Sequence, residues 1–304
     1  MKKVLIDANI LDKQKIQLMN RKGLLKKKGH LFKFYISEIV LKQRLIQLYY
    51  SDYSEQYDFY IEFIKTWCEP GIVDSAADIA KREIDNNFMP AKVISNFKTY
   101  HLYTREKAKK QLDLYKQELN NNKKLEIGNN YKNFIKDEKQ NIAKLQSSQD
   151  WENYCRQFII KYNFAVKELN SFLDAHTKYN RQVYLVMVKL WWKYTTIAGV
   201  LRYFNTHNAD QRAIEIINNI TKLSKRSFLF RQFKADEFIL DYTLVKDKKF
   251  DYDSPNDIIY LSVMKDFDIL LTDDESFMKD CFKTLYPNKN KQILTLKDFM
   301  KRYR

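Results

Sequence analysis

The chain has 304 residues, 45% hydrophobic and 15% aromatic, with only 5 Gly and 4 Pro. That composition buries a substantial core in one large domain or two ordinary ones, and it excludes long disordered linkers and a turn-rich all-β fold. The formal net charge is +16, and residues 92–234 hold 27 Lys and Arg against 12 Asp and Glu, leaving 27 against 26 elsewhere; this asymmetry is the electrostatic footprint expected for a polyanionic partner, or else a lysine-rich solvated surface.

The first element is the apolar run Val4 to Ile6, which stops on Asp7. It reads as a short buried strand that delivers Asp7 to its C-terminal edge, where ligands sit in open α/β sheets. A short helix follows over Leu11 to Met19, and then the basic loop Arg21 to His30, in which Lys26, Lys27 and Lys28 are candidate phosphate contacts. Phe34-Tyr35-Ile36 leads to Ser37, an N-cap for the next helix. A second helix is expected over Asp52 to Thr66, broken at Pro70-Gly71. After it come the strand Ile72-Val73 and a helix capped by Asp74-Ser75 and running through Ile84, a step that fits a parallel sheet.

The pattern changes between about 88 and 100. Residues 103–147 read as two polar helices joined near Asn120 to Asn130, a projecting helical hairpin. From Trp151 to Phe204 the helices are rich in aromatics interleaved with Lys and Arg, which serve either as stacking platforms for bases or, more commonly at helical spacing, as core. The most apolar stretch, Val183 to Leu201, is interrupted by Lys189 and Lys193 and reads as a core helix rather than a membrane span. A helix around Asp210 to Leu223 precedes the basic-aromatic segment Ser224 to Arg231, where Lys225, Arg226 and Arg231 are further candidate nucleic-acid contacts. Cys68, Cys155 and Cys281 are far apart, odd in number and in no ligand spacing, which suggests a reducing compartment. With no signal-peptide pattern at the N-terminus, the expected location is the cytoplasm and no membrane partner is expected.

Near the end, Ser254-Pro255-Asn256-Asp257 has the signature of a helix start with an acid in its first turn. The apolar run Phe267 to Leu271 then stops on Thr272-Asp273-Asp274, and a last strand, Gln292 to Leu296, leads into a basic helix. Acids from both ends of the chain can thus meet at one sheet edge.

The segments "LIDANIL", "SPNDIIYLSV" and "LLTDDESF" together resemble the PIN domain family of metal-dependent nucleases, over roughly the first 85 and last 55 residues. The resemblance implies an α/β fold, a PIN-like parallel sheet flanked by helices and interrupted by a large basic all-α insertion. The expected boundaries are 1–88 for the first part of the core, 89–235 for the insertion and 236–304 for the second part. It also implies Asp7, Asp257 and Asp274 as catalytic ligands of Mg²⁺ or Mn²⁺, with Phe277 at the family's usual aromatic position. Asp273 is a further candidate ligand, and Asn9, Gln43 and Thr272 are candidate supporting groups. The family's acid on the second helix falls here on Gln43, which can orient a metal-bound water but brings no charge; Glu38, five residues earlier, is not an equivalent placement. One of Asp236, Glu237 or Asp241 is a possible substitute. None of His30, His101, His176 and His207 is placed for catalysis.

Hard oxygen ligands are what these ions require, and paired cations make a phosphodiester attackable by neutralising its charge and activating water. The expected function is therefore a metal-dependent nuclease, an endoribonuclease acting on single-stranded or structured RNA, with RNA favoured over DNA by the resemblance alone. The alternative is a catalytically weakened nucleic-acid-binding protein, or a toxin–antitoxin or phage-defence component that works with a protein partner or as a homo-oligomer. A third reading makes the insertion a protein-interaction surface with solubilising lysines.

Overall fold

A computed structural model describes the chain except residues 26–30, 41–43, 45–53, 97–124, 148–150, 163–178, 221–222, 249–253, 275–276, 288–289 and 304. The described chain is α/β, with a mostly parallel mixed sheet flanked by helices. It divides into two compact units. The first comprises Met1–Ile79, Ala91–Ile127 and Asp253–Arg304, and the second Ala80–Pro90 and Gly128–Tyr252.

The first unit is built on the sheet. Strand β1 (Lys2–Ile6) is central because Val4, Leu5 and Ile6 are apolar on consecutive positions and fully buried, the pattern of a strand covered on both faces. Asp12 ends the following turn and caps helix α1 (Lys13–Arg21), its side chain accepting from Gln14 N at 2.9 Å. Strand β2 (Phe32–Ser37) pairs parallel with β1, in register Val4↔Phe34. The chain then runs through helix α2 (Ser54–Trp67) into β3 (Cys68–Val73), helix α3 (Ala76–Asp85), which belongs to the second unit from Ala80 on, and the edge strand β4 (Ile94–Asn96).

The break expected at Pro70-Gly71 lies inside β3 instead. The strand absorbs it as a register irregularity against Phe34 and Ile36, which is how a sheet tolerates a proline. Gly71 has a packing reason: a Cβ there would lie 2.6 Å from Ile94 Cγ2 on β4. Strand β4, which the sequence reading missed, is the one antiparallel member among the described strands, and three residues of mixed polarity carry little pattern.

The second unit is helical. Helix α4 (Leu125–Ser147), which begins in the first unit, leads to α5 (Trp151–Tyr162) and α6 (Arg181–Tyr203); α7 (Ala209–Asn218) and α8 (Phe228–Leu240) follow. Of the aromatics expected either to stack on bases or to form core, Trp151, Phe158 and Tyr184 are buried; Trp191 and Trp192 are half-buried against Phe134, with ring centroids 4.9 and 5.0 Å away, and Tyr203 is exposed. The first helix of the expected hairpin lies outside the described residues.

The chain returns to the sheet through helix α9 (Ser254–Val263), strand β5 (Ile269–Leu271), helix α10 (Phe277–Leu285), strand β6 (Gln292–Leu294) and helix α11 (Leu296–Arg302). Strand β5 pairs parallel with β1, Val4↔Ile269, so the sheet order is β4-β3-β2-β1-β5-β6. From β1 the chain builds outward on one side through β2 and β3 and, much later, on the other through β5 and β6. The β1/β5 junction is therefore a topological switch point, the kind of place where open α/β sheets bind ligands. Among the described residues no helix is long and apolar enough to cross a membrane.

Candidate active site

Asp7 follows directly on β1 and sits at that switch point. Its N–H continues the β-ladder by donating to Leu271 O at 3.0 Å, which fixes the backbone beside the end of β5. Its side chain caps the short 3₁₀ turn Ala8–Ile10: one oxygen accepts from Ala8 N at 2.6 Å and the other from the Thr272 hydroxyl at 2.7 Å. The carboxyl is only 6% exposed. Burial, above all, pushes its pKa up; the Thr272 and Ala8 hydrogen bonds pull it down, the Asp274 charge raises it and Arg44 lowers it.

Thr272 is the hub of the junction. While donating to Asp7, its hydroxyl accepts from Asn9 Nδ2 at 3.1 Å and from Asp274 N at 3.1 Å. Asn9 closes a second link, its Oδ1 accepting from Asp273 N at 3.1 Å. The turn after β1 and the turn after β5 are thus tied by side chains as well as by the ladder, and Asp274 is held in place through its backbone. Asp273 has both oxygens engaged: Oδ1 accepts from Leu296 N at 2.9 Å, at the start of α11, and Oδ2 pairs with Lys15 at 2.6 Å. Lys15 also donates to Asn9 O at 2.8 Å. Asp273 therefore acts on the site by anchoring α1 and α11 to its rim.

Asp257 arrives from the first turn of α9, a favourable place for an anion because the N–H groups of the first turn are directed toward it. Three residues on, and so on the same helix face, Tyr260 is fully buried. Its hydroxyl is pushed far up by burial and then by the Asp7 charge; a hydrogen bond with Ser37 and the Arg44 charge act against this, and Asp257 acts with it. Ser37, at the end of β2, also accepts from Val40 N at 3.2 Å, the cap of the helical residues Glu38 to Val40; Arg44 is helical as well. Arg44 donates from Nη2 to Ala8 O, and its guanidinium lies 5.9 Å from the Tyr60 ring centroid on α2. One region thus gathers Asp7, Asn9, Thr272, Asp273 and Asp274 through hydrogen bonds. Tyr260 connects Asp257 and Arg44 to it electrostatically.

No protein-family model, no curated protein and no solved structure matches this chain.

Gln43 and the loop lysines Lys26, Lys27 and Lys28 lie outside the described residues, as does Phe277 beyond its place at the start of α10. Lys225 and Arg226 are exposed in the loop before α8, and Arg231 is half-buried on that helix; all three belong to the helical unit. The contacts of the possible substitute acids are in that unit too. Asp236 accepts from Gln232 at 3.2 Å, Glu237 pairs with Lys193 and Lys234, each at 2.6 Å, and Asp241 pairs with Lys189 at 2.8 Å. Sequence reasoning missed Arg44, Tyr260 and Lys15, and read Ser37 only as the N-cap that it is. Tyr260 was within reach as the i+3 neighbour of Asp257, whereas nothing in the letters around Arg44 sets it apart from the other basic residues of the chain.

The donors at the junction are all hard oxygens, as Mg²⁺ or Mn²⁺ would require. Asp7 is a buried carboxylate with a second carboxylate acting on it, the kind of group that a cation stabilises. Donor type and charge therefore fit a divalent ion held by Asp7 and Asp274 with Asp257 nearby. Among the described residues, no three of His, Cys, Asp and Glu are grouped closely enough to enclose one.

Proposed function

We propose that the chain is a PIN-like, Mg²⁺- or Mn²⁺-dependent nuclease that hydrolyses phosphodiester bonds, with RNA as the favoured substrate. The observation that carries this reading is the junction itself: Asp7 after β1 and Asp274 after β5, tied through the Thr272 hydroxyl at the switch point of a parallel sheet. A bound divalent ion would supply charge neutralisation of the phosphate and a more acidic water. The protein's own share is orientation. Thr272 and Ala8 N occupy one hydrogen-bonding direction on each oxygen of Asp7, and Asn9 and Thr272 fix the backbone that presents Asp274. Asp257, in the first turn of α9, would add a third carboxylate. Lys225, Arg226 and the other cations of residues 92–234 would contact phosphates along the substrate.

The test is cleavage of labelled single-stranded RNA and DNA with Mn²⁺, Mg²⁺ or EDTA, comparing wild type with Asp257→Asn and Asp274→Asn. The expected outcome is metal-dependent cutting of RNA that falls at least about a hundredfold in both variants, since each removes a charged ligand. Cutting that survives EDTA or either substitution would sink the reading. A second reading, a nucleic-acid-binding protein without turnover, is favoured by Arg44, a cation hydrogen-bonded at the acid-bearing turn. Tight RNA binding by all three proteins with no cutting in any ion would select it.

A further inference from the structure

Lys15 stands where helix α1 itself has little use for a cation. It lies in the first turn, the end of a helix that favours anions, and its N–H donates to the capping Asp12 Oδ1 at 3.2 Å. Its ammonium turns away from the helix to two acceptors, Asp273 Oδ2 at 2.6 Å and Asn9 O at 2.8 Å. Asn9 belongs to the turn after β1 and Asp273 to the turn after β5, so one side chain grips both of the turns that bear acids. Lys15 and Asp273 are each about a third exposed, 34% and 33%, and an ion pair of that exposure adds little stability. What it adds is position.

The hydrogen bonds lead from that grip to the candidate ligands. Asn9, held by its carbonyl, uses both ends of its amide on the other turn: Nδ2 donates to Thr272 Oγ1 and Oδ1 accepts from Asp273 N, each at 3.1 Å. Thr272 in turn donates to Asp7 Oδ2 at 2.7 Å and accepts from Asp274 N at 3.1 Å. The other oxygen of Asp273 accepts from Leu296 N at 2.9 Å, so the carboxylate that Lys15 holds is tied to α11 as well. A metal ion drawing on Asp273 would have to compete with an ammonium for Oδ2 and with a helix N–H for Oδ1.

We propose that Lys15 and Asp273 form a clasp that sets the spacing of the two acid-bearing turns, so that Asp273 serves the site by positioning it, through Lys15, and is not one of its ligands. The inference rests on the nuclease reading above, since it concerns how Asp7 and Asp274 are presented to a divalent ion. It separates two neighbours that look equivalent in the sequence: Asp273 holds and Asp274 binds. The two assignments of Asp273 predict effects of opposite sign. Were Asp273 a ligand, Lys15 would compete with the ion, and removing Lys15 would tighten binding. As half of a clasp, Lys15 supports the ligands, and removing it weakens binding.

Mn²⁺ alone is the probe, followed by electron paramagnetic resonance during titration of the full chain, well below its melting temperature and with circular dichroism to verify folding. The proteins are wild type, Lys15→Met, Asp273→Asn and the double variant. Lys15→Met keeps the aliphatic stem, and Asp273→Asn keeps an acceptor for Leu296 N. The Kd for Mn²⁺ should rise about tenfold in each single variant and by no more than that in the double variant, because the two residues act as one unit. On labelled RNA, kcat should fall in step with KM little changed, since neither side chain touches substrate. Tighter Mn²⁺ binding by Lys15→Met, or a loss in Asp273→Asn far beyond that in Lys15→Met, would make Asp273 a ligand and overturn the proposal. So would losses that multiply in the double variant, wild-type affinity in both folded single variants, or a raised KM at unchanged kcat. In each of these cases wild type would still bind Mn²⁺ and cut RNA, and the nuclease reading would stand. Absence of both from the wild-type protein would take that reading down and this proposal with it.

Discussion

At the scale of single residues, chemistry and strand pattern coincide at two acids. Asp7 and Asp274 each follow a run of apolar residues, and a carboxylate at the end of a buried strand has few places to go but the sheet edge. Asp273 was legible as an acid but not as an anchor, because the partners that engage it, Lys15 and Leu296 N, lie 258 and 23 residues away. Asp236 shows the same limit in the helical unit. It lies on α8 beside the charged Glu237, yet it is 5% exposed, and burial pushes its carboxyl up to about 7 against the pull of the Gln232 amide, the Trp192 indole and Lys193. Glu237 pushes in the same direction as burial. The folded chain thus keeps Asp236 neutral over a range in which the unfolded chain has ionised it. Stability should therefore fall as pH rises from about 4 to about 7 and stay low above that. The contribution is on the order of a few kcal/mol. Asp236→Asn should remove this dependence, melting at a higher temperature than wild type at pH 8 and at a similar one near pH 4. Equal melting temperatures for the two proteins at pH 8 would show that Asp236 is ionised in the fold without penalty.

At the scale of elements, helices with amphipathic spacing and a capping residue could be read directly. Ser227 was noted within a basic-aromatic segment, and it caps α8 by accepting from Phe230 N at 3.1 Å. The partner of the preceding N–H groups was not legible. Glu83, fully buried on α3, accepts from Phe228 N at 2.7 Å and Leu229 N at 2.9 Å, and so satisfies two orphan donors of α8 with a carboxylate from 145 residues upstream. An anion at a helix N-terminus is favourable twice over, through its hydrogen bonds and through the helix dipole. Glu83→Gln keeps an acceptor but loses the charge and one acceptor oxygen. It should lower stability by about 1–3 kcal/mol in urea denaturation. A variant as stable as wild type would mean that water replaces the lost acceptor. The Pro70-Gly71 break and β4 were missed for a related reason. Whether a proline ends a strand or is absorbed as a bulge depends on the neighbour, here β2, and a three-residue edge strand gains its identity only from its pairing with β3, Gly71↔Asn96 to Val73↔Ile94.

For the whole molecule, the sequence legibly announced an α/β chain with a basic helical middle. The order of the strands had to come from the structure, since nothing local in β5 says that it will lie beside β1. The concentration of cations in residues 92–234 carries the remaining prediction. If those residues track a nucleic-acid backbone, binding of a single-stranded RNA should weaken steeply with salt, by about a thousandfold or more between 50 and 200 mM for six or more phosphates contacted. Replacing both Lys225 and Arg226 by Ala should flatten the logarithmic slope by about 1–2 without changing sequence preference. Affinity that is flat across that range would instead make the lysines a solubilising coat.

Strand β1 has a consequence for synthesis. Asp7 leaves the ribosome before the threonine that orients it, which comes 265 residues later. At roughly 5–20 residues per second that is a wait of about 15–50 s during which the central strand lacks one of its two neighbours. Throughout that wait a nascent chain holds an unassembled acid cluster. Any cutting activity would switch on only after Thr272 has emerged, so chains not yet translated that far, still tethered beside messenger RNA, would be harmless to it.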